Sequence, residues 1–400
     1  MEANKFNFTK IHRFNSPRLS YKEDINGKYV KSGDDNQFPK HLIELYNQSS
    51  IHASAVNATV EAIVGGGLTA DNEDALSRAN SHEETWNDIF DKVAYDYYLH
   101  GSYAIEVIWS MDRSRIAEVY HIDFSKVRAK EKTYRGLIPG YYISDDWKRY
   151  AGVKMEDIEY LPIFNPQKAA EEPNQVFVYR NYRPGQEYYP LPTYNAALKV
   201  IELDTEIDTF HVNNIKNGLA PSLAITTFTN GSSDDIKAIE QGLRANYGGA
   251  ENAGSLLYMD VADPTLKPDI TPVPSNQTDT YYTTINDLTV QKILTAHRIT
   301  SPMMLGIKTE GQLGGRDEVV DAFLLWGNTV IEPLQQDVLK GLEQLLEVNH
   351  PDIVIGVQTK QLYDDGTVEE EVVTSVEVTA EEDKELNEQV DDNNISSIGD

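Results

Sequence analysis

Nine histidines, scattered carboxylate pairs and no cysteine make up the obvious chemical repertoire of this 400-residue chain. Without cysteine there are no disulfides, no thiolate zinc sites and no thiol nucleophile. His121-Ile122-Asp123 offers two potential metal ligands and His297 a potential general base. No histidine pair, however, stands in the H-E-x-x-H spacing that puts two imidazoles on one helical face, and no G-x-S-x-G nucleophile elbow occurs. His121 reads more simply as a strand-edge residue. Asp234-Asp235 and Asp364-Asp365 are adjacent, so on a strand their carboxylates would face opposite ways; as cap or turn residues they need no catalytic role. Met303-Met304 offers soft thioethers, but in an apolar turn they read as packing. Gly65-Gly66-Gly67 lacks the Lys-Ser/Thr of a phosphate-binding loop and follows a helical pattern instead of a strand, so it reads as a helix stop.

The elements that would position such residues are legible from periodicity. Residues 1–38 show little pattern and read as an arm. A helical pattern opens at Pro39 with Leu42, Ile43 and Leu45 and continues through Ala55, Val56, Val60, Ile63 and Val64. A second helix is predicted from Glu83 to Leu99, with Trp86, Ile89, Phe90, Val93, Ala94 and Tyr97 on its apolar side and Gly101 as its breaker. SYAIEVIWS and RIAEVYHID then read as a hairpin across the short polar MDRS turn. Residues 130–190, rich in Tyr and Pro, read as short strands joined by turns. Thr193 is a plausible N-cap for a helix ending at Asn217-Gly218. Next come a strand (Ser222–Phe228), a helix (Ser233–Tyr247), a Gly-rich turn and a strand (Ser255–Met259). A helix from about Asp279 to Arg298 leads through an apolar turn and a polar, Gly-rich loop into a long helix, Asp317 to Val348. Pro333 removes a backbone donor inside that helix and predicts a kink. Beyond Pro351, a strand pair turning at Asp365-Gly366 is expected.

The charge frames the partners. The chain carries a formal −29, and residues 364–400 hold 14 acids and one base, Lys384. A protein gripping duplex DNA by phosphate neutralisation should be basic. The acidity therefore argues either for no tight nucleic-acid binding or for a wall past which DNA slides, and it equally serves simple solubility. The start, MEANKFNFTKIHRFNSP, has no apolar core of a secretion signal, and no apolar run approaches a membrane span.

Several landmarks, in order, resemble the portal proteins of tailed double-stranded-DNA bacteriophages. Gly101, Tyr103, Ile105 and Glu106 fit the family's helix stop and following strand, and Ile122-Asp123 with Val127-Arg128 fit the segment after it. Tyr188-Tyr189-Pro190-Leu191-Pro192-Thr193, followed by Ala196-Ala197, resembles the stem entry, although Tyr or Pro replaces a Gly common there. NGLAPSLAITTF resembles the exit from stem to clip, and Gly249-Ala250-Glu251-Asn252-Ala253-Gly254 the clip turn. The stretch from Thr295 to Leu346 resembles the family's passage from second stem helix through tunnel loop into a long kinked helix.

The resemblance covers about residues 40–350 and implies an α+β fold with a portal-like wing of helices and small sheets, a two-helix stem and a small α/β clip. Its expected divisions are an N-terminal arm (1–38), wing (39–190), first stem helix (191–217), clip (218–275), second stem helix (276–298), tunnel loop (299–316), long kinked helix and wing end (317–363), and an acidic tail (364–400) whose composition predicts disorder. It implies no catalysis and no cofactor or metal. The DNA-facing loop residues would be Lys308, Thr309, Gln312 and Arg316, the helix kink Pro333, the stem–clip exit Asn217, Gly218, Pro221 and Ser222, and the clip turn Gly249, Asn252 and Gly254. It implies a ring, usually of twelve copies, at one capsid vertex of the virion, assembled in the host cytoplasm. The ring would initiate head assembly and serve genome packaging and ejection. Implied partners are other copies of the chain, the major capsid protein, a scaffolding protein where one exists, the terminase large subunit, a head–tail adaptor or connector, and double-stranded DNA in the channel; no membrane is implied. The alternative readings are another virion ring or adaptor protein, and an enzyme of unknown class.

Overall fold

The computed structural model describes residues 25–26, 29–147, 158–217, 221–227, 255–260, 278–307 and 316–359. Strands β1 (Ile25–Asn26) and β2 (Tyr29–Val30) pair antiparallel, and Val30 is fully buried. The helical pattern from Pro39 forms two helices, α1 (Phe38–Gln48) and α2 (Ser50–Val64), not one. Ser49 divides them: its backbone is extended, and its hydroxyl accepts from the His52 N–H at 3.1 Å, capping α2. Apolar spacing runs across the break because Leu42 and Leu45 of α1 and Val56 and Val60 of α2 enter the same core. The glycine triplet ends α2, with Gly65 at φ +56 and Gly67 at φ +102; a Cβ on Gly65 would lie 2.7 Å from the Gln358 carbonyl. Strand β3 (Leu68–Ala70) follows.

Helix α3 (Trp86–His100) begins at a capping box, Thr85 accepting from the Asp88 N–H and Asp88 accepting from the Thr85 N–H. Glu83, expected inside this helix, instead has a left-handed backbone at φ +65. Gly101, also left-handed at φ +77, ends the helix where the sequence indicates. The hairpin then forms as expected from β4 (Ser102–Trp109) and β5 (Ile116–Ile122). Strands β6 (Val127–Ala129), β7 (Gly140–Ile143), β8 (Glu159–Pro162) and β9 (Asn174–Arg180) complete two antiparallel three-stranded sheets, ordered β5-β4-β9 and β6-β7-β8. Alternation along β4 divides two cores. Tyr103, Ile105 and Val107 join the helices, while Ala104 joins a second cluster with Val127, Tyr141 and Val176 from both sheets. Arg128 is 1% exposed, and four hydrogen bonds to Asn36, Ser125 and Val127 satisfy its guanidinium, which lies over the Trp147 ring.

Helix α4 (Leu198–Asn217) is not capped by Thr193 as expected; a tight 3₁₀ turn, Asn195–Ala197, precedes it. Tyr194 accounts for the difference. It is fully buried and donates its hydroxyl to the Leu99 carbonyl at 2.9 Å, so the chain stays off the helical path until that ring is placed. Strands β10 (Pro221–Thr227) and β11 (Ser255–Asp260) pair in parallel, as two strands separated by a helix would; the expected helix itself lies outside the described residues. Helix α5 (Thr278–Ala296) packs on α4. The long helix comprises α6 (Arg316–Trp326), a wide π turn (Gly327–Ile331) and α7 (Glu332–Leu346). Strand β12 (Ile355–Val357) pairs antiparallel with β3; the partner expected for it beyond Asp365-Gly366 lies outside the described residues. Among the described residues no helix is long and apolar enough to cross a membrane.

Val338, Leu342, Leu345 and Leu346 of α7 are buried against α2, α3 and β4, so the far end of the chain closes the main core. The closest approach is at Gly341, where a Cβ would overlap the Tyr103 hydroxyl and lie 3.0 Å from the Phe177 ring. Tyr103 is held: it is fully buried, stacked on Tyr179 at 5.4 Å, and donates to the Val338 carbonyl at 2.8 Å. Gly341→Ala is therefore expected to lose about 2 kcal/mol in urea unfolding despite alanine's better helix propensity. Adding Tyr103→Phe should recover most of the loss. Simple additivity of the two changes would show that the clash is not the cause.

Candidate functional site

Four elements meet where α4 begins and α5 ends, and the contacts there are polar and buried. His52 is on α2, Tyr98 on α3, Tyr194 just before α4 and His297 just after α5. His52 Nδ1 and His297 Nε2 are 2.9 Å apart, and the Tyr98 hydroxyl is 2.7 Å from His297 Nδ1. The Tyr194 ring stacks on His297 at 4.8 Å and meets His52 edge-on at 4.8 Å. One proton assignment satisfies the chain: Tyr98 donates to His297 Nδ1, and His297 Nε2–H donates to His52 Nδ1. The remaining proton then sits on His52 Nε2, which is buried without a partner. From α4, Asp204 accepts from the Ser49 hydroxyl at 2.7 Å, and Ser49 accepts from the His52 N–H, so the first helix is tied to the same knot.

Burial sets the electrostatics. It lowers His52 to about 4, and it takes His297 well below the ordinary imidazole range, with His52 adding to the shift. Burial likewise pushes Tyr98 up to about 12. The cluster is therefore neutral near neutral pH. His297 is 2% exposed and both its nitrogens are committed, so as placed it is a structural joint instead of a base facing a substrate.

The chain turns immediately after this knot. Arg298 N–H bonds to Thr295 and Ile299 N–H to Leu294, the two bonds of a Schellman ending. Glycine is usual at the left-handed position, but Arg298 takes it at φ +57, and its side chain has a use. Its Nη2 donates to the Thr329 carbonyl at 3.0 Å. Thr329 lies four residues before Pro333, so this carbonyl is the one for which proline has no N–H. The helix accommodates Pro333 by widening the preceding turn, with Glu332 N–H bonding to Gly327; the distortion thus falls at 327–331, ahead of the proline where the sequence placed the kink. The Thr300 hydroxyl donates to the Ala322 carbonyl at 2.7 Å, a second tether to the same helix. Ser301 then caps a short 3₁₀ turn, Pro302–Leu305, and Gly306, left-handed at φ +75, releases the chain.

Arg316 is the first residue of α6, and Pro333 lies in the first turn of α7. Asn217 is the last residue of α4, and Pro221 and Ser222 open β10, with Pro221 in register with Ser255 across a bulge. Lys308, Thr309, Gln312, Gly218, Gly249, Asn252 and Gly254 lie outside the described residues, as do Asp234-Asp235, Asp364-Asp365 and the acidic tail. Met304 packs at the edge of the main core, as expected of a turn residue. His121 is indeed on a strand, and its Nε2 meets Asp96 Oδ2 at 2.7 Å. The sequence reading missed His52, Tyr98 and Asp204. The available signal was a histidine at helical spacing with Ala55, Val56 and Thr59, just after a capping serine.

A protein-family model described as phage portal protein matches residues 68–325. A search of curated proteins gives no significant match. Among solved structures, a chain in the virion of a native gene transfer agent particle aligns with a TM-score of 0.56 at 16% identity, covering 93% of each chain. A chain in the neck of the empty particle, computed with C6 symmetry, gives 0.54 at 15% identity over 90% of this chain and 91% of that one. A chain in the neck of the native particle, computed with C12 symmetry, gives 0.52 at 16% identity over 88% of this chain and 89% of the other. At these identities the likeness is one of fold.

Proposed function

Because this chain belongs to the phage portal protein family, a structural family and not an enzyme family, we propose that twelve copies close into a ring at one vertex of a virion and conduct DNA through its centre. The family match across residues 68–325 carries this reading. The number twelve follows the C12 symmetry of one structurally similar neck. The surface supports closure. Leu203 and Val212 of α4, Leu288 of α5, and Leu324 and Leu325 of α6 are between 43% and 58% exposed. Large apolar side chains left open on neighbouring helices suit burial against the next subunit, and a head-to-tail contact that closes makes a ring.

In this ring α4 and α5 are the stem that forms the channel wall. The segment carrying Lys308, Thr309, Gln312 and Arg316 points inward as the tunnel loop. The segment 218–275 is the clip, which docks the terminase large subunit during packaging and a head–tail adaptor afterwards. The major capsid protein, and a scaffolding protein where one exists, surround the ring during assembly in the host cytoplasm. The subunit hydrolyses nothing; the packaging ATPase is the partner. Negative-stain images and native mass test the ring: a central hole and a mass near twelve times 45.0 kDa are expected. Leu324→Asp with Leu325→Asp should leave a folded subunit that no longer closes. A wild-type protein that stays monomeric without a hole would end the ring reading.

The clip makes a separate expectation. Residues 218–275 hold seven acids and three bases, so the motor surface that docks there should be basic. Replacing 222–274 with a short linker is expected to abolish motor binding in a pull-down while the remaining subunit folds. Undiminished motor binding would place the dock elsewhere.

A further inference from the structure

Where α3 packs against β4 and β5 lies a second cluster of titratable side chains. Asp96 and His100 are one turn apart on α3, on the same face, and Asp123 comes from the turn after β5. One ligand atom from each lies within 4.8 Å of the other two. Asp96 is 8% and His100 3% exposed. Asp96 Oδ2 is committed to His121 Nε2 at 2.7 Å and the Phe124 N–H at 2.9 Å, and Asp123 Oδ1 to the Ser125 N–H at 2.9 Å. Each carboxylate therefore keeps a second oxygen uncommitted. His100, facing both, has a buried Nδ1 with no hydrogen-bond partner.

We propose that Asp96, His100 and Asp123 bind a divalent cation of the zinc or manganese class, pinning α3 to the turn between β5 and β6. Nitrogen with carboxylate oxygens suits these ions better than magnesium or calcium, which favour all-oxygen shells. His121 serves as an outer partner that fixes the Asp96 carboxylate. An entry path exists. An open groove alongside is lined by Glu106, His121, Asp123, Lys126, Asp145 and Glu159, and Lys126 already pairs with Asp145 at 2.8 Å. Four carboxylates against one committed lysine draw cations toward Asp123.

The test uses untagged full-length protein stripped with a chelator, titrated with zinc chloride or manganese chloride by calorimetry, with cobalt(II) as a spectroscopic probe. Expected are a single tight ion per subunit, a higher Tm when loaded, and a cobalt visible band of imidazole-ligated type. Asp123→Asn keeps the Ser125 contact through its amide oxygen and should fold normally, yet bind at least about tenfold more weakly, a loss of about 1.4 kcal/mol. His100→Gln should abolish the cobalt band. Many weak ions bound equally by wild type and Asp123→Asn, or equal competition by magnesium, would mean diffuse attraction to an acidic surface and would overturn the site.

Discussion

Acidification from pH 7 to pH 4 is expected to cost the folded subunit roughly 3 kcal/mol through His52 alone. Its folded value, about 4, lies below the ordinary 6.5 that it regains on unfolding. The stabilisation is therefore complete above about pH 6.5 and drains away as pH falls toward 4, because the unfolded chain takes up the proton first. His297, also lowered by burial and by His52, works in the same direction. Asp204, raised by burial, works in the opposite one, since the folded state holds its proton more readily. The other groups facing the pair, Tyr98 and Tyr194, are shifted upward and do not titrate in this window. Denaturant unfolding from pH 7 to pH 4 should show the loss, and His52→Asn should flatten the profile while lowering the plateau at pH 7. Parallel profiles for wild type and variant would remove His52 as the cause. Because the knot fastens α4 and α5, the helices of the proposed stem, to α2 and α3, the acid-weakened subunit should loosen at α4 and α5 first, and hydrogen exchange in α5 is the direct check.

Lys308→Ala combined with deletion of Gly311-Gln312-Leu313 is expected to leave rings intact and eliminate retained DNA. Lys308 and Arg316 flank a segment with Gly311, Gly314 and Gly315 in a chain of charge −29. Repeated around the axis of the proposed ring, such cations would give a weak, salt-screened phosphate contact that holds DNA briefly without trapping it. Packaging assays with purified rings, and nuclease protection of filled heads, read the outcome. Failure of rings to form would make the loop a contact between subunits. The described tethers favour separable roles, since Arg298 and Thr300 grip the long helix on the near side of the segment altered here.

What was legible in the sequence had local causes. The end of α3 at Gly101 and the β4–β5 hairpin were expected because a left-handed cap and a short polar turn each write themselves in a few adjacent residues. The break at Ser49 was hidden because α1 and α2 feed one core, so the periodicity never lapses. Pro333 marked the right helix but not the right turn, since the strain of a missing donor is relieved upstream, where the helix can widen. The partner of β12 and the His52–His297 contact were invisible for a different reason: β12 pairs with a strand near residue 70, and the two histidines are 245 positions apart. No local pattern records such meetings. Of the residues assigned to the exit and the loop, Asn217, Pro221, Ser222 and Arg316 fall at the ends of regular elements.

The pairing of β3 with β12 also fixes when a subunit becomes usable. Leu68–Ala70 leaves the ribosome long before Ile355–Val357, and the buried face of α7 arrives just ahead of that last strand. At ordinary synthesis rates the wait is about 15 to 60 s, during which the first half of the core has an open strand edge and no lid. A growing chain thus lacks the finished core until both have arrived. Topology should therefore screen incomplete polypeptides out of the proposed ring, and a nonsense mutation upstream of residue 355 should yield chaperone clients or aggregates instead of poisoned rings.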